Sequence, residues 1–340
     1  VNLFLDSAQL YNASQIAAKW DSPGNLTITN HNPDGVAPQG LTFSAAGIGY
    51  KNLSENAGTL TMGARFIIPG STVPTSLLMG FWDNGTFQCG VAVRSDGSLI
   101  VTNTVGTDFA SGFTVLAASS AGLVSAMTAF YLELQVSFSS TGSVAIQLNS
   151  ASVASASGVL TTNTAHDYAQ QAGFASAASN LWYAGDVYIN DPTGSYNNGF
   201  EGDLHVGYLI PTANGRVHAW TPLSGTNWSE VDDVPPDGDT SYNSANTTGL
   251  EDCYVLGAIP NTVNQVVAVQ VSAYARRDAS GSRSVALGVG NGTSESFGSN
   301  VALGSSYSYA VQNFDTNPLT GEPWVATDLS AIQGAIKVTV

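Results

Sequence analysis

Two stretches concentrate side chains able to hold a cation or move a proton. The first gathers Asp186, Asn190, Asp191, Asn197, Asn198, Glu201 and Asp203, and the second Asp232, Asp233, Asp237 and Asp239. Calcium takes six to eight oxygen ligands, so both are candidate calcium loops, with Asp186, Asn190, Asp191 and Asp203 as the candidate metal set. Neither keeps the Asp-x-Asp-x-Asp-Gly register of an EF-hand, and Asp and Asn also favour turns for backbone reasons. No other cofactor is expected. Glycoside hydrolysis needs two carboxylates roughly 5–9.5 Å apart. The nearest approach to such a pair is Glu230-Val231-Asp232-Asp233, which lies beside Pro235-Pro236 and lacks a further Glu. Lys19, Lys51 and Lys337 follow no glycine, so there is no phosphate-binding loop. His31, His166, His205 and His218 fit no H-E-x-x-H zinc pattern, and no G-x-S-x-G elbow exists. Trp82, Trp182, Tyr183, Trp220, Trp228 and Trp324 are candidates for stacking on sugar rings, although these residue types more often fill cores and interfaces. No catalytic residue is expected from these spacings.

The elements around these residues read as strands. Phe87 to Arg94, the turn Ser95-Asp96-Gly97-Ser98, and Leu99-Ile100-Val101 form a hairpin pattern around an Asp-Gly turn. Tyr131 to Phe138, Ser140-Thr141-Gly142 and Val144 to Leu148 form a second. Each alternates an apolar with a polar face, as a sheet with one core face requires. Asp186 to Ile189 and Phe200 to Ile210 are expected strands. Beyond Pro211 come Tyr254 to Leu256, Val266 to Ala275, Ser284 to Val289, Tyr307 to Gln312 and Ile336 to Val340, with a turn at Asp278-Ala279-Ser280-Gly281. Ser14 to Lys19 and Ala165 to Gln171 are the only helical turns expected, and no heptad run is present. The pattern restarts near residue 205, giving domains 1–205 and 206–340.

Among the 340 residues, 25 are acidic and 9 basic, a net charge of −16. This excludes nucleic acid, whose phosphates need clustered Lys and Arg, and argues against an anionic membrane surface. Cys89 and Cys253 are too few for a disulfide framework and are expected as buried small residues. No apolar run reaches the roughly 18 residues that span a bilayer. The start, Val1 to Asp6, has no basic region and does not read as a signal peptide.

The sequence resembles a family of tailed-bacteriophage virion structural proteins with a concanavalin A-like, LamG-type β-sandwich. The resemblance is carried by Leu3-Phe4-Leu5-Asp6 with Tyr11, Ile16 and Lys19-Trp20, by the hairpin from Val93 to Leu99, and by Tyr131-Leu132-Glu133-Leu134. It continues through Asp186 to Asp191, Gly194-Ser195, Asn197 to Phe200, Gly202-Asp203-Leu204, Trp220-Thr221-Pro222 and Pro235 to Thr240. Val271 to Asp278 and Asp315 to Gly321 complete it. Taken with the strand pattern, it implies an all-β chain of two tandem antiparallel β-sandwich (jelly-roll) domains. The function it implies is that of a non-enzymatic virion structural protein on the particle exterior, a tail-associated fibre or receptor-binding component. A capsid-surface decoration protein or head fibre is the alternative. A glycan-binding lectin and, less favoured, a polysaccharide hydrolase are the rival classes. The implied partners are other virion proteins, a host surface glycan and further copies in a homotrimer.

Overall fold

The computed structural model describes residues 1–31, 33, 39–259, 263–278 and 280–340. Ala279, and with it the middle of the expected turn at Asp278 to Gly281, lies outside the described residues. The chain divides into two compact units, Val1–Val206 and Gly207–Val340. Both are antiparallel β-sandwiches. Among the described residues, helix is limited to the four-residue turn Ile16–Lys19 and the 3-10 turns Ala13–Gln15, Trp228–Glu230 and Ala326–Ala331. No helix among them is long and apolar enough to cross a membrane.

The first unit stacks an eight-stranded on a six-stranded sheet. The larger runs in the order Ala151–Val159, Gly142–Leu148, Phe130–Ser137, Thr59–Ile67, Tyr183–Asn190, Gly40–Phe43, Leu26–Thr29, with Asn2–Asp6 also paired to Tyr183–Asn190. The smaller runs Gly47–Ala57, Ala169–Ser176, Ser76–Asp83, Thr86–Val93, Leu99–Thr102, Val115–Ala118. Strand alternation sends Leu60, Met62, Ala64 and Phe66, with Leu132, Leu134 and Val136 opposite them, into the space between the sheets. Phe66, Phe174, Trp182 and Trp20 meet there at centroid spacings of 5.4–5.8 Å, an edge-to-face and tilted aromatic centre. The Asp-Gly hairpin forms as its turn residues dictate: Gly97 takes φ +75°, and the Arg94 amide donates to the Ser98 carbonyl at 2.9 Å.

The second unit is a sandwich of unequal layers. One is a five-stranded sheet, Pro211–His218, Glu251–Leu256, Gln333–Val338, Ser284–Gly290, Glu295–Ala302; the other is the ribbon Val269–Ala275 with Ser308–Phe314. Tyr254, Val285, Leu287 and Ile336 from the sheet pack with Ala310, Val271 and Ala273 from the ribbon. Cys89 and Cys253 are buried and free.

Two local expectations are corrected. Residues 200–210 form no strand, and the next strand is Pro211–His218. The backbone of 201–206 bonds sideways to side chains of the larger sheet instead of to a neighbouring strand. Ala165 to Gln171 is not helical; it leads into the strand Ala169–Ser176, whose pairing with two neighbours outweighs a weak helical pattern.

Candidate functional site

Two polar clusters in the first unit hold the residues with chemistry. The first lies on the outer face of the larger sheet. Register places Arg65 beside Tyr131, Gly63 between Glu133 and Tyr188, and Thr61 between Gln135 and Asn190. A bulge between Gly185 and Tyr188, with Asp186 at φ +51°, adds the Asp186 carboxylate to this face. Residues 191–206 cross over it as a strap. The Glu201 and Gly202 amides donate to Glu133 Oε1, both at 2.9 Å, and the Tyr188 hydroxyl donates to the same oxygen at 2.5 Å. Arg65 donates to Asp186 at 3.0 Å and to Asp203 at 2.5 Å. The His205 ring meets Asp186 at 3.1 Å, and the Val206 amide donates to it at 2.9 Å. Burial pushes the Asp186 carboxyl upward, but the His205 contact, the Val206 amide and Arg65 outweigh it and hold the group below the usual carboxylate range. Burial beside Glu133 drives the Tyr188 phenol well above its ordinary value, so it stays a donor.

The expected metal set Asp186, Asn190, Asp191 and Asp203 is dispersed by these contacts. Asp186 and Asp203 are bound to Arg65. Asp191 accepts from the Val1 ammonium at 3.0 Å and from the Thr193 hydroxyl at 2.7 Å. The Asn190 amide donates to Glu201 and to the Gly199 carbonyl, both at 2.8 Å. Among the described residues no three His, Cys, Asp or Glu side chains are grouped to hold a metal ion. The second acidic loop is likewise engaged: Asp233 and Asp237 accept from the Ser241 hydroxyl at 2.9 and 2.7 Å, and Asp239 pairs with Arg276 at 2.8 Å. Glu230 is 5% exposed and accepts from Ser224 at 2.8 Å, so it offers no accessible glycosidase carboxylate.

The second cluster sits at one end of the smaller sheet, where Asp83 closes the strand Ser76–Asp83. His166 Nδ1 lies 2.8 Å from Asp83 Oδ2; the ring is 52% exposed and the carboxylate 2%. Gln170 donates to the other Asp83 oxygen at 3.0 Å, and Thr164 also bonds the carboxylate. Burial raises the Asp83 carboxyl, but the bonds from Thr164, His166 and Gln170 exceed that effect and hold it below its ordinary value. It is therefore a fixed anion that draws the imidazole proton to Nδ1 and leaves the Nε2 lone pair for solvent or substrate. Tyr168 stacks under the imidazole, with centroids 4.6 Å apart and planes at 10°. At the same sheet end Trp82 lies between Tyr50, tilted at 6.1 Å, and Phe87, edge-on at 5.7 Å. Gln171 ties the edge together, accepting from the Gly85 amide at 2.8 Å and donating to Asn52 at 2.9 Å.

Of the aromatic candidates, Trp82 and Trp182 are buried, Trp324 is buried in the second unit, and Trp220 and Trp228 pack against its core. Tyr183 stacks on His31 at 5.2 Å. None of the six forms an open stacking platform. The pairing of His166 with Asp83 is absent from the sequence reading, because 83 residues separate the partners and no local motif marks either.

No family model matches the chain, and no curated protein matches it. Solved structures do resemble it in layout. An endo-β-1,4-glucuronan lyase from the fungus Trichoderma reesei is 13% identical, with a TM-score of 0.37, over 56% of this chain and 95% of its own. The alginate lyase Aly36B is 12% identical, with a TM-score of 0.39, over 56% and 96%. A Trypanosoma rangeli sialidase is 14% identical, with a TM-score of 0.32, over 45% of this chain and 25% of its own. At these values the likeness extends to the β-sandwich layout alone. Among the solved structures that resemble it are polysaccharide lyases, a sialidase and a galectin from Caenorhabditis elegans, and none of these is a phage structural protein. On that finding the expectations of a non-enzymatic virion structural protein and of a chain that is no enzyme are overturned.

Proposed function

We propose that the first unit is a carbohydrate-active enzyme in which His166, oriented by Asp83, is the general acid–base for a neutral glycan. One observation carries the reading: an accessible imidazole is held through Nδ1 by a buried carboxylate. This is the arrangement that lets Nε2 take a proton from a water or sugar hydroxyl while Asp83 stabilises the imidazolium formed. As the activated oxygen bonds the anomeric carbon the glycosidic C–O bond breaks, and the imidazolium returns the proton to the departing oxygen. The surroundings suit a hydroxylated, uncharged ligand. The Gln170 amide donates to Asp83 and the half-exposed Tyr168 ring stacks on His166, while Asn52, Gln171, Tyr50 and Phe87 gather around Trp82 at the same end of the smaller sheet. A net charge of −16 repels a polyuronate approaching in solution.

The test is turnover by the full chain of a panel of neutral polysaccharides, read as new reducing ends. His166→Ala is expected to lower the rate by about 100-fold or more. Asp83→Asn should lower it as well, by turning the ring to the wrong tautomer. Cleavage that survives His166→Ala at the wild-type rate would refute the role of the pair, and a panel left intact by the wild type would refute the reading.

A further inference from the structure

We infer that the face beneath the strap binds a hard cation, calcium by its charge count, between Glu133, Asn190 and Glu201. Glu133 is fully buried and its Oε1 accepts from three neutral donors: the Tyr188 hydroxyl and the amides of Glu201 and Gly202. No Lys, Arg or His pairs with this carboxylate among the described residues. Its second oxygen, Oε2, is buried with no hydrogen-bond partner. Asn190 repeats the pattern two strands away, across Thr59–Ile67. Its Nδ2 donates to Gly199 and Glu201, and its Oδ1 is buried with no partner. Glu201 ties the two together, since its amide bonds Glu133 and its carboxylate accepts from Asn190.

Both orphaned atoms are acceptors, so they do not satisfy each other. A buried acceptor without a donor is destabilising, and more so when charged. The missing partner is therefore electropositive. Two carboxylates and an amide oxygen are hard ligands of the kind calcium takes, and the half-buried Glu201 leaves a side from which water completes the shell. This set shares only Asn190 with the dispersed set of Asp186, Asp191 and Asp203.

The experiment is calcium titration of the chelator-treated full chain by calorimetry, with melting temperature as a second readout. One saturable site and a raised melting temperature are expected for the wild type. Glu133→Gln is expected to abolish both, because its new amide supplies a donor at the Oε2 position and removes the charge. Glu201→Gln, on the strap, is expected to weaken calcium at least tenfold and covers the case in which the buried variant does not fold. A wild type that shows neither heat nor a shift, or variants that bind calcium like the wild type, would overturn the site and leave a trapped water or a proton as the missing partner. Neither result bears on turnover at His166.

Discussion

At the scale of single residues, the most unusual ionisable group is Lys19. It ends a short helical turn yet is 4% exposed, with its ammonium 5.1 Å from the Phe4 ring centroid. Burial pushes the amine down from 10.5 to about 8; Asp6 opposes that and Lys51 adds to it. Asp6 itself accepts from Tyr11 at 2.5 Å, from Trp20 at 2.8 Å and from the Ala8 amide at 2.9 Å. Between pH 8 and pH 10.5 the unfolded chain holds the lysine proton that the folded chain has released. Stability from this group therefore rises with pH across that window, by about 3 kcal/mol at roughly 1.4 per pKa unit. Thermal melts from pH 8 to pH 10 should show the rise in the wild type and its loss in Lys19→Met. Equal pH slopes in the two proteins would contradict the assignment. None of this is legible in Lys19-Trp20 as a dipeptide, because a lysine at a helix end reads as solvated until the tertiary fold covers it.

Among the elements, what was legible followed from locality. The two hairpins formed where alternation and turn chemistry placed them, since both signals lie within a few residues. Alternation gives Tyr131 to Phe138 one polar face, yet the strap buries Tyr131 and Glu133 on that face completely. A sheet covered on both faces defeats the inference from alternation to exposure, and two tyrosines at the polar positions, Tyr131 and Tyr188, were the available hint. The same crowding gives a prediction. Gly63 lies mid-strand, and a Cβ there would fall within the Tyr188 ring. Gly63→Ala should destabilise the unit by about 1–3 kcal/mol through overpacking in the central strand. Gly85, at φ +81° with nothing within 4 Å of an added Cβ, should lose only about 1 kcal/mol from backbone strain when changed to Ala. Urea unfolding of the two variants side by side ranks them, and a larger loss at Gly85 would mean that the Tyr188 ring gives way freely.

For the molecule as a whole, charge excess decides the response to solution conditions. Acidic side chains exceed basic ones by 25 − 9 = 16, so negative charge remains in surplus however the bases are paired. The observed pairs are spent in place: Lys51 with Asp21 at 3.0 Å, Lys337 with Glu251 at 2.9 Å, Arg276 with Asp239 at 2.8 Å, and Arg216 with Glu295. Added salt acts on both populations. It weakens exposed pairs, each worth about 0–1 kcal/mol, and it screens repulsion among the surplus acids. Arg65 with Asp186 is less affected, because a buried pair is poorly screened. The surplus acids outnumber the exposed pairs, and their repulsion opposes the compact state everywhere on the surface. Melting temperature should therefore climb by a few degrees between about 10 mM and about 500 mM potassium chloride, at roughly 2–4 °C per kcal/mol for units of this size. A chelator in every sample keeps calcium under the strap from contributing. A fall with salt would show that the pairs, not the surplus, govern stability, and would remove self-repulsion as the reason for excluding polyuronates at His166.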